Sequence, residues 1–559
     1  MPEAGVYMKR YIFAILSIAL LATVPFRTAA DHEIVQADLV IENIRVFTAD
    51  KADEKVEAIA VKKGKFVYVG DRDGVQAFKG PKTKVLLLDG QLLLPGFIDG
   101  HNYAYLKADE LFSLDLSEYS TFEQYKKAIL SYRAKHPRLK QVRAFGWNQD
   151  VTAEASHKSG QTPRKLIDQL VPDIPFIAFS NDRDELWVNS KALEFSVLNK
   201  NADRAEEINR TETGEASGIV RGKAMDIVVQ ALPQPDFTVE QYKKALRAFQ
   251  KEAAANGITA AFVPFRYNSE NLLQAFDELD RENQLTLTYE LGLYVDPDKG
   301  PEQIEILKKW RETYQGRHYS IQTAKIYSTR NAFEESFAWD EDKFRNVLEL
   351  LEREGFRIHV QAMGGLDEIF EGFEYIRARN GKSNFRHTVS HMSFVTREDL
   401  AAFRKLRLIP SVKPSALYDT MGVNEEAEAL KNLNRMKSYF ARGLPVSSSS
   451  DYPFGPMNPL YGIETGITRL HPEDGNDLKP LWPKEKATLR QMLRSYTVYA
   501  ARQIGKEELI GKIQIGKQAD FVILDKNLFN IAPSEISEAK VVLTYFKGKE
   551  VYRDGAQID

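Results

Sequence analysis

Six side chains with ligand or proton-transfer chemistry stand at or just after short apolar runs of the sequence: His101, Tyr103, Lys325, Gln361, His391 and Asp451. Neutral imidazole and carboxylate groups bind Zn, Fe, Mn or Ni, whereas a glutamine carbonyl is a weak ligand and a tyrosine binds well only as the phenolate. A metal with one open position makes water a nucleophile at neutral pH. A carboxylate such as that of Asp451 takes the proton from water and passes it to the leaving group. The chemistry indicated is metal-assisted hydrolysis.

The elements that must position these residues are the strands of a parallel sheet. From Gly257 to Asp451 strand-like runs alternate with helical stretches, and amphipathic spacing such as that of Phe344, Val347 and Leu348 favours crossover helices. The predicted strands are 258–265, 285–295, 319–328, 356–363, 385–391, 408–414 and 444–450. With the short run Leu92 to Ile98 they make eight strands, the number that closes a TIM (β/α)8 barrel.

The active site of a TIM barrel lies at the carboxyl ends of its strands. The first predicted strand ends at His101 and Tyr103, the fourth at Lys325, the fifth at His359 and Gln361, the sixth at His391 and the eighth at Asp451. Alternate residues of a strand share a face, so residues 101 and 103 should both point into the mouth, as should 359 and 361. The polar residues therefore converge on one mouth.

The rest of the chain divides into an insertion and two flanks. The interval of about 104–256 is too long for a simple loop and predicts an inserted subdomain. Alternating apolar runs with glycine-bearing turns on both flanks predict a small β-sandwich built from both chain ends. The expected domains are a β-sandwich of residues 31–91 and 509–559 and a hydrolase barrel of residues 92–508. The fold class is α/β.

Several motifs resemble the amidohydrolase superfamily, in particular its N-substituted formamide deformylase-like branch. They are LLLPGFIDGH at 92–101, WVNSKALE at 187–194, AKIY at 324–327, RHTVSH at 386–391, SSDYP at 449–453 and IGKIQIGKQADFVILD at 510–525. The resemblance covers nearly the whole chain after its N-terminal segment. It implies a distorted TIM barrel beside a β-sandwich, and hydrolysis of C–N or related bonds with one or two divalent metals.

The resemblance also implies a ligand set, which this sequence matches in part. His101, Lys325, His391 and Asp451 match the strand-one histidine, the often carboxylated lysine, the strand-six histidine and the strand-eight aspartate. Two ligand positions are altered, because Tyr103 replaces the second strand-one histidine and Gln361, in QAMGG, replaces the strand-five histidine. Asp184 also stands where the branch has a histidine. Losing two imidazoles predicts a reduced site with one metal, Zn before Fe, Mn or Ni.

Each residue taken alone also has a structural interpretation. His101 can be a hydrogen-bonding histidine at a strand end, and a structural role is favoured for His359 and His387 because they precede the predicted mouth positions. Asp451 can cap the following helix, and Lys325 can be a buried ion-pair partner, for example of Asp451. Their joint placement at strand ends favours the functional interpretation.

The N-terminus and the composition restrict location and partners. Lys9 and Arg10 precede the uncharged, mostly apolar run 11–26 and the small residues 28–30, which predicts a signal peptide over residues 1–30. The run is shorter than the roughly 20 residues of a spanning helix, so a retained anchor is the weaker alternative. The absence of cysteine excludes disulfides and thiolate ligands and, with export, suggests a bacterial periplasmic or secreted protein.

The partner and function hypotheses follow from these observations. A formal net charge of −3 gives no basic excess, so a small-molecule substrate rather than nucleic acid is expected, and a homo-oligomer remains possible. The first function hypothesis is an exported amidohydrolase that cleaves an amide-like bond through metal-activated water. The alternative is a catalytically inactive relative that binds a ligand or partner in the same mouth.

Overall fold

The computed structural model describes residues 36–50, 55–137, 139–181, 185–196, 208–211, 213–233, 235–329, 337–381, 383–392, 395–417, 432–473 and 479–555. The predicted signal peptide, residues 1–30, and Asp184 lie outside these residues. Every helix within them is too short or too polar to span a lipid bilayer.

The centre of the fold is a sheet of eight parallel strands. In barrel order they are Phe97–Asp99, Ile258–Pro264, Thr288–Tyr294, Tyr319–Tyr327, Arg357–Gln361, Thr388–Ser390, Ile409–Val412 and Ser447–Ser448. The first and eighth strands meet where the Gly100 N–H donates to the Ser448 carbonyl at 3.1 Å and the Asp451 N–H donates to the His101 carbonyl at 2.9 Å. These bonds nearly close the sheet, which confirms the predicted TIM-like barrel.

The predicted first strand, Leu92 to Ile98, is divided in the structure. Leu92–Pro95 pairs antiparallel with Phe521–Leu524 in another sheet, and only Phe97–Asp99 joins the barrel. Gly96 makes the crossing possible, because a Cβ atom there would lie 2.2 Å from Thr259 Oγ1. A single apolar run thus serves two sheets, which its hydrophobicity alone does not reveal.

The barrel strands are joined by helices whose apolar faces pack on them. The side chains of Phe344, Val347 and Leu348 are buried as the predicted amphipathic spacing requires. The helices of the described residues are Lys107–Phe112, Phe122–Lys135, Gln149–Ser159, Pro163–Asp168, Ser190–Phe195, Lys223–Ala231, Val239–Ala255, Glu270–Arg281, Gln303–Thr313, Glu341–Arg353, Leu366–Asn380, Arg397–Leu406, Met436–Ala441, Pro459–Thr468, Leu489–Ser495 and Val498–Gln503.

The interval between the first two barrel strands forms an inserted subdomain with its own sheet and core, as predicted. Trp147 and Trp187 are fully buried there, with ring centroids 6.1 Å apart. The six strands, in spatial order, are Ile208–Arg210, Ala216–Arg221, Glu185–Val188, Phe176–Ser180, Val142–Trp147 and Leu114–Asp115.

The two chain ends build a pair of sheets that share one apolar core, as predicted for the sandwich. Phe521 stacks on Tyr545 at 4.6 Å between ring centroids and contacts Phe66 of the other sheet at 6.1 Å. One sheet contains Lys65–Gly70, Ala58–Lys62, Leu39–Glu42 and Lys84–Leu87; the other contains Arg45–Val46, Leu92–Pro95, Phe521–Leu524, Val541–Phe546 and Lys549–Arg553. The exact domain limits stay predictions.

A buried carboxylate stands at the start of the C-terminal sandwich strand Phe521–Leu524. Asp520 accepts hydrogen bonds from the Lys547 N–H at 2.7 Å and from Gln518 Nε2 at 2.6 Å. Burial raises the pKa of Asp520 from 3.8 to about 7, although these bonds oppose the shift. Between these values the unfolded chain loses the proton while the folded protein keeps it. Stability should therefore fall as the pH rises from about 4 to about 7.

Asp520→Asn should remove this component of the pH dependence. Relative to the wild type, the free energy of unfolding of the variant should rise between pH 4 and pH 8 by on the order of 3 kcal/mol, because the amide cannot ionise. Urea unfolding at a series of pH values measures the difference. A difference that stays constant with pH would contradict the buried-carboxyl interpretation.

Candidate metal centre at the mouth of the barrel

Two of the predicted site residues have an unusual backbone conformation at the strand ends. His391 directly follows the sixth barrel strand with φ 61°, and Asp451 follows the eighth with φ 57°. Left-handed φ values cost a non-glycine residue on the order of 1–3 kcal/mol and cluster at functional sites. The Asp451 N–H donates to the His101 carbonyl, and the side chains of His391 and Asp451 face each other.

The structure brings three of the four predicted metal ligands together. His101, His391 and Asp451 each offer one ligand atom, and these atoms all lie within 4.8 Å of one another. Asp451 Oδ1 is 3.2 Å from His391 Nε2 and 3.9 Å from His101 Nε2, and the two imidazole ring centroids are 4.7 Å apart. This spacing suits one ion shared by two imidazoles and a carboxylate.

The protonation states of the cluster also suit a metal. Burial lowers the pKa of His101 well below 6.5, so the imidazole is neutral. Burial alone would raise the pKa of Asp451, but His391 and Lys413 hold it below 3.8, so the carboxylate is ionised. His101 Nδ1 is buried and has no hydrogen-bond partner among the described residues. These residues fit a divalent cation.

Asp99 holds the backbone on both sides of the cluster through hydrogen bonds. Its carboxylate accepts the Ser450 hydroxyl at 2.5 Å, the Ser450 N–H at 3.0 Å and the His101 N–H at 3.2 Å. It therefore ties the residue before Asp451 to the backbone of His101. Burial raises the pKa of Asp99 from 3.8 to about 6. The sequence analysis missed this residue, although its position two residues before His101, on the same strand face, is a usable signal.

Lys325 makes its hydrogen bond to one of the altered positions, Gln361. Its buried Nζ donates to Gln361 Oε1 at 2.8 Å and lies 4.8 Å from the ring centroid of Tyr327. Burial lowers the pKa of Lys325 well below 10.5, with Asp451 opposing the shift. The lysine that approaches Asp451 is Lys413, whose Nζ is 3.8 Å from Oδ2; sequence reasoning missed it, although it directly follows the seventh strand.

Tyr103 connects the cluster of candidate ligands to Gln361, the other altered ligand position. Its Oη lies 3.1 Å from His101 Nε2, 3.4 Å from Tyr327 Oη and 3.5 Å from Gln361 Oε1. Burial raises the pKa of Tyr103 well above 10, so the group is a neutral phenol and a hydrogen-bond donor. Tyr103 and Gln361, the two altered ligand positions, therefore contact each other.

The two remaining histidines of the fifth and sixth strands are engaged in protein hydrogen bonds. His359 Nε2 lies 2.8 Å from Ser390 Oγ, and the ring stacks on Phe262 with centroids 4.6 Å apart. His387 Nδ1 accepts the Ile358 N–H at 3.0 Å, so Nε2 donates to Glu352 Oε1 at 2.9 Å. Neither belongs to the cluster of ligand atoms.

The barrel and the histidine–aspartate cluster at its mouth define a metal-dependent hydrolase of the TIM-barrel type. The sequence profile of the amidohydrolase family matches residues 84–552. The chain therefore belongs to the amidohydrolase family, which confirms the resemblance seen in its motifs.

Similar proteins extend over nearly the whole chain. "Protein LONG AFTER FAR-RED 3" of Arabidopsis thaliana is 24% identical over 93% of this chain and 92% of its own length. The N-substituted formamide deformylase of Arthrobacter pascens is 23% identical over 91% of this chain and 97% of its own. An uncharacterized metal-dependent hydrolase from Pyrococcus furiosus shares the fold with a TM-score of 0.65, at 20% identity, over 88% of this chain and 99% of that chain.

Ser450→Ala should weaken zinc binding by about tenfold or more. The change removes the hydroxyl that holds Asp99 and, through it, the backbone of His101 and the neighbouring Asp451; loss of such supporting bonds typically costs 10–100-fold in metal affinity. Competition titration with a chromogenic chelator measures the affinity. Ser449→Ala is the matched control, because that hydroxyl donates only to the Val412 carbonyl. Equal affinities in all three proteins would refute a supporting role for Asp99.

Proposed function

We propose that the protein is a metal-dependent amidohydrolase that cleaves a C–N bond of a small, non-peptide amide. The observation that carries the proposal is the cluster of His101, His391 and Asp451 at the carboxyl ends of the barrel strands, with its ligand atoms within 4.8 Å of one another. These three residues would hold one divalent ion. Three protein ligands with an open position are the usual arrangement of catalytic zinc.

The bound ion would supply a Lewis acid that polarises the scissile carbonyl and acidifies water. His101 contributes a neutral imidazole, fixed through its backbone by Asp99. Asp451 is ionised and is the residue placed to accept a proton from the attacking water and to return it to the departing nitrogen. The Tyr103 phenol, a neutral donor beside His101, is placed to hydrogen-bond the oxygen that gains charge during the reaction.

Lys325 as a ligand stays a prediction. To bind the metal as a carboxylated lysine, Lys325 would have to break the hydrogen bond between its Nζ and Gln361 Oε1. Its lowered pKa favours the neutral amine. Because the neutral amine is the form that reacts with carbon dioxide, Lys325 is able to become carboxylated. The proposal of one metal on three ligands does not depend on this modification.

The second candidate is a catalytically inactive binding or regulatory protein. The observation that favours it is the contact among Tyr103, Gln361 and Lys325, which fills the side where the family places further ligands. Export to the periplasm, the absence of nucleic-acid and membrane partners, and a homo-oligomer stay predictions that neither candidate requires.

Metal analysis of protein purified without chelators separates the two candidates. We expect about one transition metal per chain in the wild type, and a loss in Asp451→Asn and His391→Ala, because each change removes one of three ligands. Mass spectrometry of the metals measures the content, and amine release from a panel of simple amides measures the activity. The surface variant His157→Gln is the control. Metal-free, inactive protein whose thermal stability does not change on zinc addition would favour the inactive relative.

Restoring the two altered positions tests whether they decide the number of metals. The double variant Tyr103→His, Gln361→His should raise the metal content from about one to about two ions per chain, because it supplies the imidazoles that the family uses there. The same elemental measurement gives the result. Tyr103→Phe with Gln361→Leu, which adds no ligand, should stay at about one. A double-histidine variant that also stays there would show that the altered residues do not set the stoichiometry.

A further inference from the structure

Arg266 is a cation at the barrel mouth that lies outside the cluster of His101, His391 and Asp451. It lies two residues beyond the second barrel strand, and its backbone N–H donates to Tyr105 Oη at 3.0 Å. The guanidinium carbon lies 5.9 Å from the ring centroid of Tyr103 and 5.6 Å from that of Phe454. The side chain is partly buried and flanked by aromatic rings.

Within the part of the chain that the structure describes, the guanidinium of Arg266 has no carboxylate at ion-pair distance and no hydrogen-bond acceptor. The neighbouring Asp109 is paired with Arg143 at 3.3 Å, and Asp451 faces the two histidines. A partly buried guanidinium without an anion forgoes the charge-assisted bonds that its five donors can make. The N–H donors of the Arg266 guanidinium are therefore available to a ligand.

We propose that Arg266 binds a carboxylate of the substrate, so that the molecule cleaved is an amide that also carries a carboxylate and an apolar group. This inference rests on the proposed function. A guanidinium binds a carboxylate with two parallel hydrogen bonds, which is a geometry that neutral groups do not match. The exposed ring of Phe454, 52% accessible, lies beside Arg266 and offers the apolar group a surface.

The position of Arg266 sets the distance between the carboxylate and the bond that is cleaved. Tyr103 contacts Arg266 with its ring and His101 with its hydroxyl, so roughly one tyrosine ring separates the cation from the metal ligands. A carboxylate a few bonds from the scissile carbonyl spans this separation. N-acylated amino acids with an aromatic side chain have this chemistry.

Calorimetric binding of two non-hydrolysable probes tests the cation directly. The probes are 3-phenylpropanoate and 3-phenylpropanamide, which differ in charge but not in shape. The wild type should bind the carboxylate more tightly, and Arg266→Gln should weaken that binding by about tenfold or more while leaving the amide unchanged. Arg266→Lys, which keeps the charge but loses the fork, should recover part of the affinity.

Control variants separate the site from general effects. Arg281→Gln removes a surface arginine, 74% exposed, and should bind both probes as the wild type does. Unchanged amide binding in Arg266→Gln shows that the mouth remains folded. The inference is overturned if the wild type does not prefer the carboxylate, or if Arg266→Gln weakens both probes equally.

Hydrolysis of a matched pair of amides separates this inference from the proposed function. N-acetylphenylalanine should have a kcat/KM at least about tenfold above that of N-acetyl-2-phenylethylamine, which lacks the carboxylate, and Arg266→Gln should remove the difference. If neither amide is cleaved while the probes still discriminate, the proposed function fails and the carboxylate site stands. If both are cleaved equally by wild type and variant, the inference fails and the amidohydrolase stands.

Discussion

The seam between the first and eighth barrel strands holds the candidate metal centre together. The N–H of Asp451 donates to the carbonyl of His101, and the N–H of Tyr103 donates to the carbonyl of Tyr452 at 2.8 Å. Asp99 adds a buried carboxylate that receives bonds from both sides of the seam. Because a buried hydrogen-bond network fixes its members more firmly than isolated contacts do, it can hold Asp451 in a left-handed conformation. Ligands from opposite ends of the barrel sequence thereby share one centre.

The buried side chains at the two altered ligand positions, Tyr103 and Gln361, and that of Lys325 beside them are uncharged. A buried ammonium is costly, and burial lowers the pKa of Lys325 although the charge of Asp451 opposes the shift. The amine donates to the carbonyl of Gln361, and the neutral phenol of Tyr103 lies beside both. No anion is required on this side, whereas the cluster side contains the ionised Asp451. Lys325, Gln361 and Tyr103 therefore form a neutral hydrogen-bonded group beside the cluster that contains the ionised Asp451.

Much of the fold could be predicted from the sequence because a barrel has a strong periodic signal. The strand ends predict that His101, His391 and Asp451 share one mouth, since parallel strands end on the same edge, and the structure brings their ligand atoms within 4.8 Å of one another. One apolar run supplies strands to two sheets, Leu92–Pro95 and Phe97–Asp99, and its hydrophobicity does not show where the first strand ends and the second begins. The break lies at Gly96, where the backbone passes too close to Thr259 for a Cβ atom.

Residues that act through distant partners were harder to predict. The role of Asp99 depends on Ser450, and that of Lys413 on Asp451, so neither role is visible without the closed barrel. Arg266 is recognised only by its surroundings: a cation among aromatic rings with no carboxylate within ion-pair distance in the described chain. Sequence patterns report on local periodicity, whereas these properties arise from contacts between separate strands.

The insertion contacts residues that follow the second and eighth barrel strands. Its first helix, Lys107–Phe112, is joined to the loop after the eighth strand through Lys107, whose Nζ contacts Glu110 at 2.8 Å, Glu252 at 2.6 Å and Tyr452 Oη at 3.5 Å. Tyr105, at the start of the insertion, accepts the Arg266 N–H and lies edge-on to the Tyr103 ring, so the insertion begins beside both residues.

This division separates the two tasks of the site. The candidate metal ligands follow the first, sixth and eighth strands, and the seam bonds join the first and eighth of these strands. Groups that can select a substrate stand on loops and on the insertion, where change does not disturb the seam. Within the insertion, Arg143 Nη1 lies 3.3 Å from the carboxylate of Asp109, so this carboxylate near Arg266 already has a cationic partner. The proposed substrate contact at Arg266 therefore lies beside the insertion, whereas the candidate metal ligands belong to the barrel.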